Sequence, residues 1–142
     1  MKRVRDILDA KGRDVWSIAP DASVYDAIKL MADKSIGALL VVDNGQLVGI
    51  ISERDYARKV ILQGRSSKTT RVREIMTSRV IYTHPDQNIE ECMAVMTDKR
   101  IRHLPVLDQG HLVGIISIGD LVKSIIVEQK FIIEQLEKYI TS

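Results

Sequence analysis

The sequence predicts an α/β (α+β) fold made of two β-α-β-β-α repeats that pack on each other. Three observations carry that expectation. The hexapeptide LVGIIS occurs twice, at Leu47–Ser52 and Leu112–Ser117, each time with an aspartate three residues beyond its serine, Asp55 and Asp120. Around it, Pro20–Tyr56 aligns with Pro85–Leu121 at a constant offset of 65 residues, with 17 of 37 positions identical. Within each copy, apolar runs of strand length alternate with a segment of helical period. Two units of this size pack face to face, because neither buries its apolar face alone.

The elements follow in order. VRDIL (Val4–Leu8) is a short helix that matches VREIM (Val72–Met76) at an offset of 68, so three residues are inserted in the first copy and KGRD (Lys11–Asp14) is the place for them. VWSI (Val15–Ile18) and VIYT (Val80–Thr83) are short strands, each closed by a proline two residues on. Ser23 and Asn88 then stand as helix N-caps. Val24, Ala27, Ile28 and Met31 fall at helical spacing, as do Ile89, Cys92, Met93 and Met96. The strands ALLVVD and HLPVLD come next, and Asn44-Gly45 and Gln109-Gly110 turn each chain back into LVGIIS. Asn-Gly is a strong type I′ hairpin signal. A second helix begins at Ser52 and at Ser117. The polar stretch Gln63–Arg73 reads as the linker and sets the repeats at 1–64 and 65–142. Beyond Asp120, Val122, Ile126, Gln129, Ile133, Leu136 and Ile140 recur every three or four residues, the mark of a long amphipathic helix.

The totals exclude several classes. A net charge of +2 argues against a general nucleic-acid binder. No apolar run approaches the roughly 20 residues that cross a bilayer. The basic N-terminus lacks the apolar core of a signal peptide, so the default location is cytoplasmic. His84, His103 and His111 have no metal-ligand spacing, and there is no Walker loop and no GxGxxG. The one thiol, Cys92, sits among helix methionines as a small core residue. No catalytic constellation emerges, so the chain does not read as an enzyme.

The repeat resembles a tandem pair of CBS motifs, named for cystathionine β-synthase. The carriers are APDASVYDAIKLMADKSIGALLVVDNGQLVGIISERDYARKV and HPDQNIEECMAVMTDKRIRHLPVLDQGHLVGIISIGDLVKSI, which span nearly the whole chain. The resemblance implies two repeats related by pseudo-two-fold symmetry in one Bateman module, with two clefts and dimerisation into a disk-like homodimer. It implies adenosine ligands: AMP first, with ADP, ATP, NAD or S-adenosylmethionine as other choices, and a role in energy sensing. It implies regulation of a partner protein and no catalytic cofactor or metal. Since nothing is appended, the module is expected to stand alone.

Residue chemistry and the resemblance meet at GIISxxD. Ser52 and Ser117 end their strands at a helix start, where free N–H groups favour an anion. The resemblance gives Asp55 and Asp120 to the ribose hydroxyls. The spacing alone fits a capping box as well, and the two roles are compatible. Arg102 and His103, ahead of Leu104 and Pro105, match positions that reach a ligand phosphate, and Arg suits bidentate anion binding. The first copy departs here, with Gly37 and Ala38. Arg54 and Arg58, on one helix face, are its nearest substitutes, or else part of a solvated face. Thr83 matches a ligand-contacting position that Ile18 does not. For the base, Val15, Val80 and Ile81 are the apolar candidates. Trp16 either flanks the base or anchors a core or interface. The second cleft, with Thr83, Arg102, His103, Pro105, Ser117 and Asp120, is the better mononucleotide site.

Two other functions compete with a nucleotide sensor. One is a ligand-free assembly module that uses the long C-terminal helix and the disk-like dimer. The weaker one is nucleic-acid binding through RVRDILDAKGR and KTTRVR.

Overall fold

The computed structural model describes residues 2–141. The chain runs α1 (Val4–Lys11), β1 (Ser17–Ile18), α2 (Val24–Lys34), β2 (Ala38–Asp43), β3 (Gln46–Ser52) and α3 (Glu53–Tyr56), which continues as a π-helical segment, Ala57–Ile61. Then come α4 (Val72–Ile75), α5 (Ile89–Lys99), β4 (His103–Asp108), β5 (His111–Ser117) and α6 (Ile118–Thr141). It divides into two compact units. One holds the first 14 residues with everything from Tyr82 onward; the other holds Val15–Ile81. The packing units are therefore offset from the sequence repeat by one helix: α1 packs with the second copy and α4 with the first.

Local chemistry explains each repeated element. The side chains of Ser23 and Asn88 accept the Asp26 and Glu91 N–H groups at 3.0 and 2.8 Å and so start α2 and α5. Both helices stop at a left-handed residue, Ser35 and Arg100, each with φ 55°. Both hairpins turn on two positive-φ residues, Asn44 and Gly45 (50° and 79°) and Gln109 and Gly110 (50° and 81°), which is the requirement of a type I′ turn. Each hairpin skips one residue of its return strand, Val48 or Val113, a bulge in the same place.

The glycine of LVGIIS has a packing reason. A Cβ at Gly114 would stand 2.7 Å from Leu8 Cδ2 of α1, and one at Gly49 would stand 2.6 Å from Met76 Sδ beside α4. The leading helices are seated on these glycines. Backbone bonds fix them there: Val4 N–H to Gln87 O at 2.9 Å in one unit, and Val72 N–H to Ala22 O at 2.9 Å in the other.

The first strands are shorter than the sequence suggests. VWSI contributes only Ser17 and Ile18, paired in parallel with Leu40 and Val41. VIYT forms no strand; only Thr83 bridges, to Val106. The difference between the copies has a chemical cause. Leu40 N–H donates to Trp16 O at 3.3 Å, but Pro105 stands where Leu40 stands in the repeat and has no N–H to give. The pairing therefore shrinks to the bonds at Thr83, whose N–H donates to Pro105 O and whose carbonyl accepts from Leu107 N–H, both at 2.9 Å.

The core of the Val15–Ile81 unit joins Val24, Ala27, Met31, Leu39, Val41, Ile51, Val60, Val72 and Ile75. In the other unit Val4, Leu8, Ile89, Cys92, Met96, Leu104, Val106, Ile116 and Leu121 are buried. Cys92 is thus a core residue, and burial pushes its thiol pKa up. No described helix is long and apolar enough to cross a membrane.

Candidate functional site

The hairpin register brings the predicted residues together at one end of each sheet. In the unit that starts again at Tyr82, the first residue of β4 lies opposite the last of β5, His103 against Ser117. Ile118 N–H donates to Arg102 O at 2.9 Å, which ties the entry of β4 to the start of α6. Arg102, His103, Ser117 and Asp120 therefore share one corner. The same corner exists in the other unit. There Ala38 lies opposite Ser52, and Glu53 N–H donates to Gly37 O at 3.0 Å.

Both serine–aspartate pairs form reciprocal caps. Asp120 Oδ2 accepts Ser117 N–H at 2.8 Å, and Ser117 Oγ accepts Asp120 N–H at 3.1 Å. Asp55 Oδ2 accepts Ser52 N–H at 2.9 Å, and Ser52 Oγ accepts Asp55 N–H at 3.3 Å. The capping reading of the spacing is thus realised twice.

Each aspartate also carries a lysine that the sequence does not single out. Lys11 Nζ donates to Asp120 Oδ2 at 2.7 Å and to Ile115 O at 2.9 Å. Lys59 Nζ stands 3.2 Å from Asp55 Oδ1 and donates to Ile75 O at 2.9 Å. Lys59 lies four residues after Asp55 on one helix face, a spacing that can be read in advance. Lys11 lies 109 residues from Asp120 and meets it only because α1 packs with the second copy. It is the last residue of α1 rather than part of an inserted spacer.

The two carboxylates differ in what they have left. Both oxygens of Asp55 are engaged, Oδ2 by Ser52 and Oδ1 by Lys59. Asp120 takes both Ser117 and Lys11 on Oδ2, and among the described residues no hydrogen bond reaches its Oδ1. Burial pushes the Asp120 pKa up, but the hydrogen bonds from Lys11 and Ser117 and the Lys11 charge outweigh it and hold the carboxyl below its ordinary value. Next to it, burial pushes the His103 pKa down. Lys11 and Arg102 push the same way, against the Asp120 charge. The corner thus holds an ionised acceptor, a neutral imidazole and the exposed guanidinium of Arg102.

The remaining predicted residues are placed as follows. Thr83 is 2% exposed, and its hydroxyl donates to Gln87 Oε1 at 2.7 Å, so it caps its own turn instead of standing open. Leu104 and Pro105 are buried; Leu104 belongs to the core and offers no surface there. Val80 and Val15 are half-buried. Trp16 is 41% exposed, with the Lys34 ammonium 4.1 Å from its ring centroid, so it is not a core anchor of its unit. Arg54 and Arg58 are exposed and make no ion pair among the described residues. A groove of about 510 Å³ lined by Arg3, His84, Asp86, Gln87, Asn88 and Glu91 contains none of the predicted residues. Its acidic groups already have partners: Arg5 pairs with Asp86, and Asn88 donates to Glu91 at 2.7 Å.

The chain is similar to known proteins along most of its length. The model of the family described as CBS domain matches residues 4–61 and 72–127. The CBS domain-containing protein CBSX3, mitochondrial, of Arabidopsis thaliana is 42% identical over 96% of this chain and 71% of its own length. A solved protein with CBS domains from Burkholderia ambifaria MC40-6 is 61% identical, with a TM-score of 0.88 over 90% of this chain and 96% of its own. The CBS domain pair of protein MJ0100, solved in complex with 5′-methylthioadenosine and S-adenosyl-L-methionine, is 29% identical, with a TM-score of 0.80 over 90% of this chain and 98% of its own. The chain belongs to the CBS-domain family and carries the domain in two tandem copies.

Proposed function

We propose that the chain is a regulatory module that binds an adenosine-containing ligand at the Asp120 corner and thereby changes its affinity for a partner protein. The observation that carries this reading is the Asp120 carboxylate. It is held ionised, fixed by Ser117 and Lys11 on Oδ2, and its Oδ1 is available to a ribose hydroxyl. Arg102 and His103 stand beside it as partners for a phosphate or carboxylate. The complex of the MJ0100 pair with two adenosine compounds supports this ligand class. In this reading AMP is the first choice, ahead of ADP, ATP, NAD and S-adenosylmethionine, because one phosphate fits one Arg–His pair. Asp55 is the poorer ribose site: both of its oxygens are engaged, and Gly37 and Ala38 replace the basic pair. The ligand acts on a partner only through different affinities for two states of the module.

Thermal unfolding with AMP, ADP, ATP, NAD, S-adenosylmethionine and GMP tests the ligand class. A ligand at 100 times its Kd adds about 2.7 kcal/mol, a rise of several degrees in Tm for a chain of this size. A rise with adenosine compounds and none with GMP is expected. No rise with any of them would overturn the reading.

A further inference from the structure

The two aspartates receive their lysines from different directions, and the leading helices decide which. Both β3 and β5 are edge strands, and Ile50 and Ile115 are their equivalent residues. In the Val15–Ile81 unit, α4 ends at Ile75 and the chain turns extended at Met76. Thr77 then takes the β3 edge with its backbone: Ile50 N–H donates to Thr77 O at 3.0 Å, and Thr77 N–H donates to Ile50 O at 2.9 Å. In the other unit α1 runs on to Lys11 and is stopped there by Gly12, at φ 100°. Here Ile115 O receives a side chain instead, Lys11 Nζ at 2.9 Å. The same ammonium reaches Asp120 Oδ2 at 2.7 Å. Asp55, with Thr77 on the neighbouring strand edge, draws its lysine from its own helix, and Lys59 lands on Oδ1.

Which oxygen is taken decides what the carboxylate can still do. Ser117 N–H alone could be accepted by either oxygen of a turning carboxylate. A second donor on the same oxygen, itself anchored to a strand carbonyl, removes that choice and leaves Oδ1 as the free acceptor. Among the described residues Lys11 is the one cation paired with Asp120; Arg102 and His103 face the same corner from the entry of β4. Resting on the ligand reading above, we infer that Lys11 is a positioning residue for the ribose: it holds Asp120 through Oδ2 so that Oδ1 meets the ligand, and the site is complete only while the last turn of α1 lies on β5. Lys11 acts through Asp120 and does not touch the ligand. The extra turn by which α1 outruns α4 is then what separates a ribose site from its closed counterpart.

Calorimetry of AMP and of adenosine with wild type, Lys11→Met and Lys11→Arg tests it, together with an NMR titration of the Asp120 carboxyl without ligand. Lys11 is exposed, and unchanged circular dichroism identifies folded variants. In Lys11→Met the Kd of both compounds should rise by the same factor, roughly fivefold, the scale of one partly exposed ion pair. Asp120 should titrate at higher pH in that variant, and Lys11→Arg should recover most of both effects. A loss for AMP with none for adenosine would make Lys11 a phosphate ligand and overturn the inference. Unchanged Kd values, or an unmoved Asp120 titration, would overturn it as well. If neither compound binds wild type while the Asp120 titration still shifts, the ion pair stands but the ligand reading falls, and the positioning role falls with it.

Discussion

The exchange of leading helices makes a quantitative claim about Gly114. Replacing it by alanine sets a methyl 2.7 Å from Leu8 Cδ2 and 3.1 Å from Leu8 Cδ1. Leu8 is 1% exposed, so its end cannot swing out into solvent. Overpacking of this kind costs about 1–3 kcal/mol. The φ of Gly114 is not positive, so alanine also reduces the freedom of the unfolded chain and returns about 0.4–1 kcal/mol. The net cost of Gly114→Ala is then roughly 0–2.5 kcal/mol. Leu8→Ala alone leaves a cavity in the core and costs about 2–5 kcal/mol. In the double variant the new methyl occupies space that the leucine vacates, so the clash vanishes and the cavity shrinks. Urea unfolding of the four proteins should therefore show the double variant more stable than the sum of the single changes, by about 1 kcal/mol or more. Additivity within about 0.5 kcal/mol would mean that α1 does not sit on β5, and would refute the helix exchange.

Three further outcomes follow from the Asp120 corner. His103 has a folded pKa below its ordinary 6.5, so the unfolded chain binds the proton more readily. The stability this group contributes is complete above 6.5 and is lost as pH falls below it; His103→Asn should flatten the fall of the urea midpoint as the pH is lowered from neutral. An anionic ligand beside His103 raises its pKa, so affinity for a phosphate-bearing ligand should rise on acidification in wild type and not in His103→Asn, as calorimetry at several pH values would show. For Asp120 the folded pKa is again lowered, so its contribution is present above the ordinary carboxylate range and fades as pH drops through the folded value. Lys11→Met removes part of that lowering. It should cost about 1 kcal/mol near neutral pH, the pair being partly exposed, and shift acid unfolding to higher pH.

The parts of this architecture that were legible beforehand rest on short-range chemistry. Ser23 and Asn88 cap their helices because a side-chain acceptor reaches an N–H three residues on, a relation written in adjacent letters. The Ser117–Asp120 box and the Asn44-Gly45 hairpin belong to the same class. The long-range parts were not legible. Lys11 reaches Asp120 only through the exchange of α1 between copies, and no local pattern distinguishes packing on its own repeat from packing on the other. The loss of the strand at Val80–Thr83 follows from Pro105, which sits on the neighbouring strand and acts by withholding one N–H. Thr83 matched a ligand position by sequence, but its hydroxyl satisfies Gln87, because a buried hydroxyl takes the acceptor within reach.

The central claim is that the Asp120 carboxylate, and not its Asp55 counterpart, receives a ribose. Calorimetric titration of AMP into wild type, Asp120→Ala and Asp55→Ala addresses it directly. The account predicts binding to wild type, a Kd raised roughly 5- to 150-fold in Asp120→Ala for a loss of about 1–3 kcal/mol, and little change in Asp55→Ala. Unchanged affinity in Asp120→Ala, or the larger loss in Asp55→Ala, would contradict it.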